Sequence, residues 1–346
     1  MNRVTLKDVA EACGVAFSTV SNALSGKGYV KEETRRRILE QAEEMGYRPS
    51  LLARGLRIAE TRTLGLLLTD IANPFAGEMA KSIETTAFAS GYNVLLCNTN
   101  REPARARAYL DVLRDKSVDG AIIMFVGSDD DSVLDLGTAG FPFVLLGRRH
   151  SKVQADYLGM DNRLGVRMAM DSLYALGHRL TALVDGPVTS SIDIERREAF
   201  QSLAQAHEAD GMRASVVEVG ASADCSIEGG LEAVHHIVRL APKPTAVIAT
   251  SDPLAIGVVE GLRASGIRVP EDISVIGFDD IPMAALPSIQ LTTIRQPRDE
   301  MGKAAVALLL ERIAGGKGEA RTLLFPPTLI IRKTAAPPHH GCTSAG

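Results

Sequence analysis

From Thr63 onward the chain settles into a repeat that few folds can satisfy: short apolar runs alternate with longer helical stretches. The runs Leu64–Thr69, Asn93–Cys97, Gly120–Phe125, Phe143–Leu146, Leu180–Asp185, Ser215–Val219, Ala246–Ala249 and Ser274–Phe278 read as strands. Between them lie Phe75–Ser90, Arg163–Leu176, Asp193–Ala209, Ile227–Leu240, Pro253–Ser265 and Arg298–Ala314, which read as helices. Repeated strand–helix units close only as parallel, doubly wound sheets, because each helix must cross over a sheet face to the next strand. Some 270 such residues exceed what one sheet usually holds, so the stretch 61–333 is expected to form two lobes. The expected division is an N-lobe of about 61–160 and 293–319, and a C-lobe of about 161–292 and 320–333. The Pro-containing end, 334–346, reads as a disordered tail.

The first sixty residues follow a different period. Thr5-Leu6-Lys7-Asp8 has the form of a helix-starting cap, a hydroxyl followed three residues later by an acid. Leu6, Val9, Ala10 and Cys13 then fall on one helical face. Gly14 can adopt the positive φ that ends that helix. A second helix is expected over Phe17 to Leu24, with Val20, Ala23 and Leu24 inward and Phe17, Ser18, Ser21 and Asn22 outward. A third, Glu32 to Met45, turns Ile38, Ala42 and Met45 inward and stops at Gly46. Two helices joined by a short glycine-containing turn, followed by a third, match either a helix-turn-helix headpiece or an ordinary helical hairpin.

Residue identity separates the two. Thr5-Leu6-Lys7-Asp8-Val9-Ala10, Gly14-Val15, Ser18-Thr19-Val20-Ser21-Asn22, Glu33-Thr34-Arg35 and Gly46-Tyr47-Arg48-Pro49 together closely resemble the headpiece of the LacI/GalR family of bacterial repressors. The resemblance implies an all-α DNA-binding unit over 1–48, whose second helix enters the major groove. It implies base contacts by Phe17, Ser18 and Asn22, within a DNA-facing set that includes Thr5, Leu6, Thr19 and Ser21. Two positions depart from the family. Asn22 stands where Arg is commonest; Arg favours guanine, whereas Asn pairs bidentately with adenine, so an operator shifted toward A·T is expected at that step. Ala16 stands where a capping Ser or Thr is usual, a loss of roughly 1 kcal/mol of helix stability. Residues 49–60 match the family's hinge, which becomes helical on DNA. In that segment Leu56 matches the leucine that wedges into the minor groove, Ala53 a second contact there, and Arg54 a phosphate contact.

In open α/β sheets ligands sit beyond the carboxyl ends of the strands, so polar residues there are the site candidates. They include Asn73 with Phe75 after the first strand, Arg148 after the fourth, Asp161 at a lobe crossing, Arg196, Ser251 and Asp279. Asp, Asn and Ser in such places are also ordinary helix caps, the reading that suits Asp252 just before a helix. A converging Arg and Asp suit hydroxyl or carboxylate recognition, and Phe75 can stack on a ring face. The family resemblance extends here through Asn73-Pro74-Phe75, Leu176-Gly177-His178, Ser251 to Gly257, Ile273 to Asp280 and Leu291 to Pro297. It implies the two-lobed fold of periplasmic sugar-binding proteins, with the ligand in the cleft between the lobes. Phe75, Arg196, Asp279 and Gln296 match ligand-contacting positions, and Arg148 and Asp161 are weaker matches. Ser251 stands where many sugar-responsive members have Asn, and Cys225 where many have a stacking aromatic. Those changes imply a ligand with less planar surface, or a bulkier one, and single out no particular sugar.

Charge is consistent with that plan. Residues 1–58 carry ten Lys/Arg against seven Asp/Glu, so +3 sits on the headpiece and −7 on the rest of a chain of net charge −4. A small basic module on an acidic body suits phosphate binding by the head. The four cysteines, Cys13, Cys97, Cys225 and Cys342, lack metal-type spacing and read as reduced thiols. The start of the chain has no apolar signal-peptide core, and no run of about 18 apolar residues exists, so a cytoplasmic protein without a membrane span is expected. No GxSxG, Walker-type loop, HExxH or paired-Cys motif argues for an enzyme or a cofactor. The expected partners are double-stranded operator DNA, a small-molecule effector of sugar or sugar-derivative type, and a second copy of the chain in a homodimer.

Overall fold

The computed structural model describes residues 4–25, 28–47, 60–124, 133–188, 190–220 and 226–339, and it divides into a unit ending at Thr61 and a body beginning at Arg62. In the first unit α1 (Leu6–Cys13) starts on a complete capping box. The Thr5 hydroxyl oxygen accepts the Asp8 amide at 3.3 Å, and the Asp8 carboxylate accepts the Thr5 amide at 2.7 Å. Gly14 ends the helix at φ 60°, a conformation glycine enters without the penalty a Cβ would bring. Helices α2 (Phe17–Ser25) and α3 (Glu32–Glu44) follow. Val9, Ala10, Val20, Ala23, Ile38 and Ala42 form their common core, the inward faces the periodicity predicts. Arg37, on the exposed side of α3, donates to the Cys13 carbonyl at the end of α1 at 3.1 Å.

The body contains two six-stranded sheets. The N-lobe sheet runs in the order β11-β5-β4-β3-β1-β2, from β1 (Thr63–Leu68), β2 (Asn93–Asn98), β3 (Gly120–Ile123), β4 (Phe143–Leu146), β5 (Asp156–Met160) and β11 (Thr322–Phe325), all parallel. The C-lobe sheet runs β12-β10-β9-β8-β6-β7, from β6 (Leu180–Asp185), β7 (Arg213–Glu218), β8 (Ala246–Ala249), β9 (Ser274–Asp279), β10 (Thr292–Arg295) and β12 (Thr328–Ile330). Only β12 runs antiparallel to its neighbour. The helices used below are α4 (Pro74–Ala89), α5 (Pro103–Val112), α6 (Leu134–Thr138), α7 (Asn162–Ala175), α8 (Ser191–Ala206), α9 (Ile227–Ile237), α10 (Asp252–Ala264) and α11 (Arg298–Ile313). This is the all-α headpiece with a doubly wound, two-lobed α/β body that the alternation predicts.

The lobe boundaries differ from the expected ones. Strand β10 completes the C-lobe sheet beside β9, so the crossing falls after Arg295 rather than at 293. Strand β11 pairs with β5, so Thr322–Phe325 belong to the N-lobe and the chain returns at Pro326-Pro327, not at 319–320. Pairing with a buried neighbour satisfies the backbone of β11, a preference its short sequence does not display. The expected tail also starts too early. Thr334 is buried; its hydroxyl accepts the Thr292 amide at 2.9 Å and donates to the Val275 carbonyl at 2.7 Å. Ala336 exchanges hydrogen bonds with Ser274 and takes one from the His178 ring at 2.9 Å. These bonds satisfy buried polar groups of β9 and hold the segment against the C-lobe.

Candidate nucleic-acid interface and interlobe cleft

On the headpiece, α2 carries Phe17 and Ser18 exposed, with Thr19, Ser21 and Asn22 half-buried. Thr5 is exposed and Leu6 half-buried at the start of α1. The Ala16 carbonyl accepts the Thr19 and Val20 amides, but its methyl group offers no oxygen to cap α2. Past α2 the chain turns through Gly28 at φ 74°, where a Cβ would stand 3.0 Å from the Asn22 amide nitrogen. The next residue, Tyr29, is 92% exposed, the most exposed large hydrophobic side chain among the described residues. Sequence reasoning passed over Tyr29; a large aromatic in a polar turn beside a recognition helix is the signal that could have marked it. Ala53, Arg54 and Leu56, and Cys225 in the body, lie outside the described residues.

In the C-lobe sheet β6 lies between β7 and β8, so the strand order reverses there, the place where open α/β sheets take ligands beyond the carboxyl ends of their strands. Arg196, on the first half of α8, reaches the carboxyl end of β8 and is only 6% exposed. Its Nε donates to Asn162 Oδ1 at 2.9 Å, one terminal nitrogen donates to the Thr250 carbonyl, and its guanidinium stacks 3.8 Å from the Phe278 ring centroid. Asn162 is held in turn by donating to Glu195 at 2.8 Å. Asp279 ends β9, and Gln296 follows β10; Gln296 Nε2 donates to Asp279 Oδ1 at 2.6 Å. Burial pushes the Asp279 carboxyl up, while the Arg196 charge, the Gln296 amide and the Arg298 charge pull it down. Its backbone has φ 118° and that of Asp280 φ 56°, left-handed conformations that non-glycine residues keep only when their surroundings enforce them. Arg196, Asp279 and Gln296 are thus brought together as one buried polar group.

The other candidates divide by what already occupies them. Asn73, Asp161 and Ser251 are the N-caps of α4, α7 and α10, accepting the amides of Phe75 at 2.9 Å, Leu164 at 2.9 Å and Leu254 at 3.4 Å. Asp252 is not the cap. It stands one position inside α10, fully buried, where its two oxygens accept the Thr293 hydroxyl and, at 2.8 Å, the Ile281 amide. Burial, reinforced by the charge of Asp279, drives its carboxyl well above the usual range. Phe75, on α4 of the N-lobe, packs against apolar clusters that include C-lobe residues. Arg148 is half-buried after β4; its neighbour Arg149 makes the contact across the lobes, its amide donating to Ser191 Oγ on α8 at 2.9 Å. Among the described residues no three His, Cys, Asp or Glu side chains are placed to hold a metal ion, and no helix is long and apolar enough to cross a membrane.

Comparison with known proteins agrees with this geometry at both ends of the chain. Residues 5–50 match the model of bacterial regulatory proteins of the lacI family, and residues 170–335 that of periplasmic binding protein-like domains. The ribose operon repressor of Haemophilus influenzae is 31% identical over 330 residues, spanning 95% of this chain and 98% of the relative. The lac repressor dimer bound to operator and the anti-inducer ONPF superposes with a TM-score of 0.83 at 26% identity, over 97% of this chain and all of that one. A LacI family transcriptional regulator from Enterococcus faecium with bound ribose gives a TM-score of 0.70 at 31% identity, over 80% of this chain and 99% of that one.

Proposed function

The chain belongs to the lacI family of bacterial regulatory proteins, as a DNA-binding transcriptional repressor and not an enzyme, and from that premise we propose that it binds a near-palindromic operator as a homodimer and is controlled by a sugar or related metabolite held between its lobes. The observation that carries the effector half of this reading is the convergence of Arg196, Asp279 and Gln296 where the strand order reverses. A buried guanidinium beside a buried carboxylate offers donors and an acceptor to adjacent hydroxyl groups, while Phe75 supplies an apolar wall. The ribose-bound neighbour favours a hydroxyl-rich ligand.

Each headpiece reads one half-site. Phe17, Ser18 and Asn22 face the bases, and Thr5, Leu6, Thr19 and Ser21 settle the helix in the groove. Ala53, Arg54 and Leu56 act in the minor groove at the operator centre. Ligand between the lobes changes their relative angle, shifting the population that presents both headpieces to DNA. Binding of effector and operator are then reciprocally coupled. The reading is tested by selecting operators from random duplex DNA and titrating the selected site with and without D-ribose and a panel of pentoses and hexoses. A symmetric site whose affinity changes with one of these sugars is expected. Loss of sequence preference, or an affinity that no hydroxyl-rich metabolite alters, would sink the corresponding half.

A further inference from the structure

Arg298 sits where a cation is locally disfavoured. It is the first residue of α11, at the positive end of the helix dipole, and the two acids that follow, Asp299 and Glu300, suit that end far better. Its helix is rooted in the N-lobe: Gly302 lies so close to Ser82 of α4 that an added Cβ would overlap that side chain. Yet the Arg298 guanidinium is mostly buried and reaches the other lobe. One terminal nitrogen donates to the carbonyls of both Asp279 and Asp280, at 3.0 and 2.9 Å. The other lies 3.8 Å from Glu78 of α4. The two carbonyls belong to the consecutive left-handed residues at the end of β9. Such a backbone persists only where its environment over-determines it.

We infer that Arg298 is the positioning residue of the cleft: anchored in the N-lobe, it holds the left-handed Asp279-Asp280 turn of the C-lobe, and so sets both the aim of the Asp279 carboxylate and the angle between the lobes. It rests on the reading of the cleft as the effector site for its consequence in binding, but not for its structural content. Polar contacts between the lobes also include the Gln296 amide on the Asp279 carboxylate and, at a separate strand end, the Arg149 amide on Ser191. When the lobes separate, the bonds to Asp279 and Asp280 must break or α11 must move with them. Either outcome links the turn that carries the ligand-facing carboxylate to the lobe angle that the repressor reads as a signal.

The full-length protein tests this with R298M, which keeps the apolar stem, and R298K, which keeps the charge. Dyes on Lys303 of α11 and Gln201 of α8, both exposed, report the interlobe distance in a doubly labelled subunit diluted into unlabelled protein. Hydrogen exchange reports the amides of 279–281 and, as an internal control, of 246–262. R298M is expected to lengthen the interlobe distance and to speed exchange at 279–281 by about tenfold or more, as loss of a charged hydrogen bond implies, with 246–262 unchanged. R298K is expected to restore much of the wild-type distance. A wild-type distance in R298M, or faster exchange spread evenly through 246–262, would overturn the assignment. D-ribose is then added to each protein. If it binds the wild type, R298M is expected to weaken that binding by about tenfold or more; if it does not, the sugar reading is what fails, and the distance measurement still decides Arg298.

Discussion

Asp156 and Asp185 both keep their side chains from solvent, 1% and 2% exposed, but Asp185 lies deeper, and their acidities move in opposite directions. Burial pushes both carboxyls up. At Asp156 it is overcome by Arg312, which binds both oxygens at 2.6 and 2.9 Å, and by the Arg321 amide at 2.7 Å, so the group stays below the usual range. At Asp185 burial, joined by the charge of Asp193, wins over one Arg197 nitrogen at 3.1 Å and the Thr250 hydroxyl, and the carboxyl rises to about 6. The folded protein therefore holds this proton more tightly than the unfolded chain does. The resulting stability is fully present below about pH 3.8 and is lost as pH rises through about 6. Asp185→Asn should remove that dependence. Urea melts of the two proteins should show the wild type losing about 3 kcal/mol relative to the variant across this window; a constant difference would refute it. On the headpiece, Asn22→Arg is expected to move the preferred base pair at one step from A·T to G·C, and Asn22→Ala to cost about 1–3 kcal/mol while relaxing that preference. Operator selection with each variant checks both; a guanine preference in the wild type with Asn22→Ala neutral would reject the assignment. At this scale the sequence named Arg196, Asp279 and Gln296 through matched blocks. For Asn73, Asp161 and Ser251 it left cap and ligand roles both open, because the two call for the same short polar side chains at strand ends.

Among elements, the closest packing lies between α9 and α10. A Cβ on Gly257 would overlap the Ile227 carbonyl and stand 2.8 Å from the Cα of Gly230, and one on Gly230 would strike the backbone of α10. Alanine would raise helix propensity by about 1 kcal/mol, but it would meet backbone atoms that cannot rotate away. Gly257→Ala is therefore expected to destabilise the protein by about 1–3 kcal/mol net. Gly137 in α6 is the contrasting case, with open space around its added Cβ, and Gly137→Ala should be neutral or stabilise by up to about 1 kcal/mol. Thermal melts rank the pair, and a Gly257→Ala protein at least as stable as wild type would contradict the packing account. Most of the elements could be read from the sequence because their periodicity is strong: α1 to α3 and strands β1 to β4 and β6 to β9 lie within a few residues of where the pattern puts them. Strands β5, β10, β11 and β12 could not. β12 has three residues, β11 is an edge strand with Leu323 and Leu324 both exposed, and β5 is buried at every position. None shows the alternation that marks a half-buried strand. Their pairing depends on tertiary neighbours far away in sequence, which is also why two of the three lobe crossings fell elsewhere than expected.

At the scale of the molecule, each lobe leaves an apolar surface uncovered. In the N-lobe, Phe88 at the end of α4 and Leu95 and Leu96 on the edge strand β2 are exposed. In the C-lobe, Ile227, Leu231 and Val238 are exposed along α9 and its end, spaced by four and seven residues on one helical face. Contiguous exposed apolar side chains on a soluble fold mark interaction surfaces, and an open strand edge is a further template for pairing. In the proposed homodimer a second copy would cover both with one symmetric interface, since a two-fold axis places the same patch against itself. A repressor that reads a near-palindrome gains from that symmetry twice. The second headpiece binds within the same complex, at an effective concentration that raises affinity by about 10²–10⁴ without any new contact. The number of phosphates neutralised also doubles, and with it the slope of log affinity against log salt. A variant carrying both Leu96→Asp and Leu231→Asp should keep its fold, because both side chains already face solvent. It is expected to sediment as a monomer where the wild type is a dimer. Its affinity for the full operator should fall by about a hundredfold or more, with half the wild-type salt slope, while binding to an isolated half-site stays the same. A dimeric variant would move the interface elsewhere on the body. A monomer that kept full affinity and salt slope would mean that one subunit reads the operator alone, and the palindromic reading would fall with it.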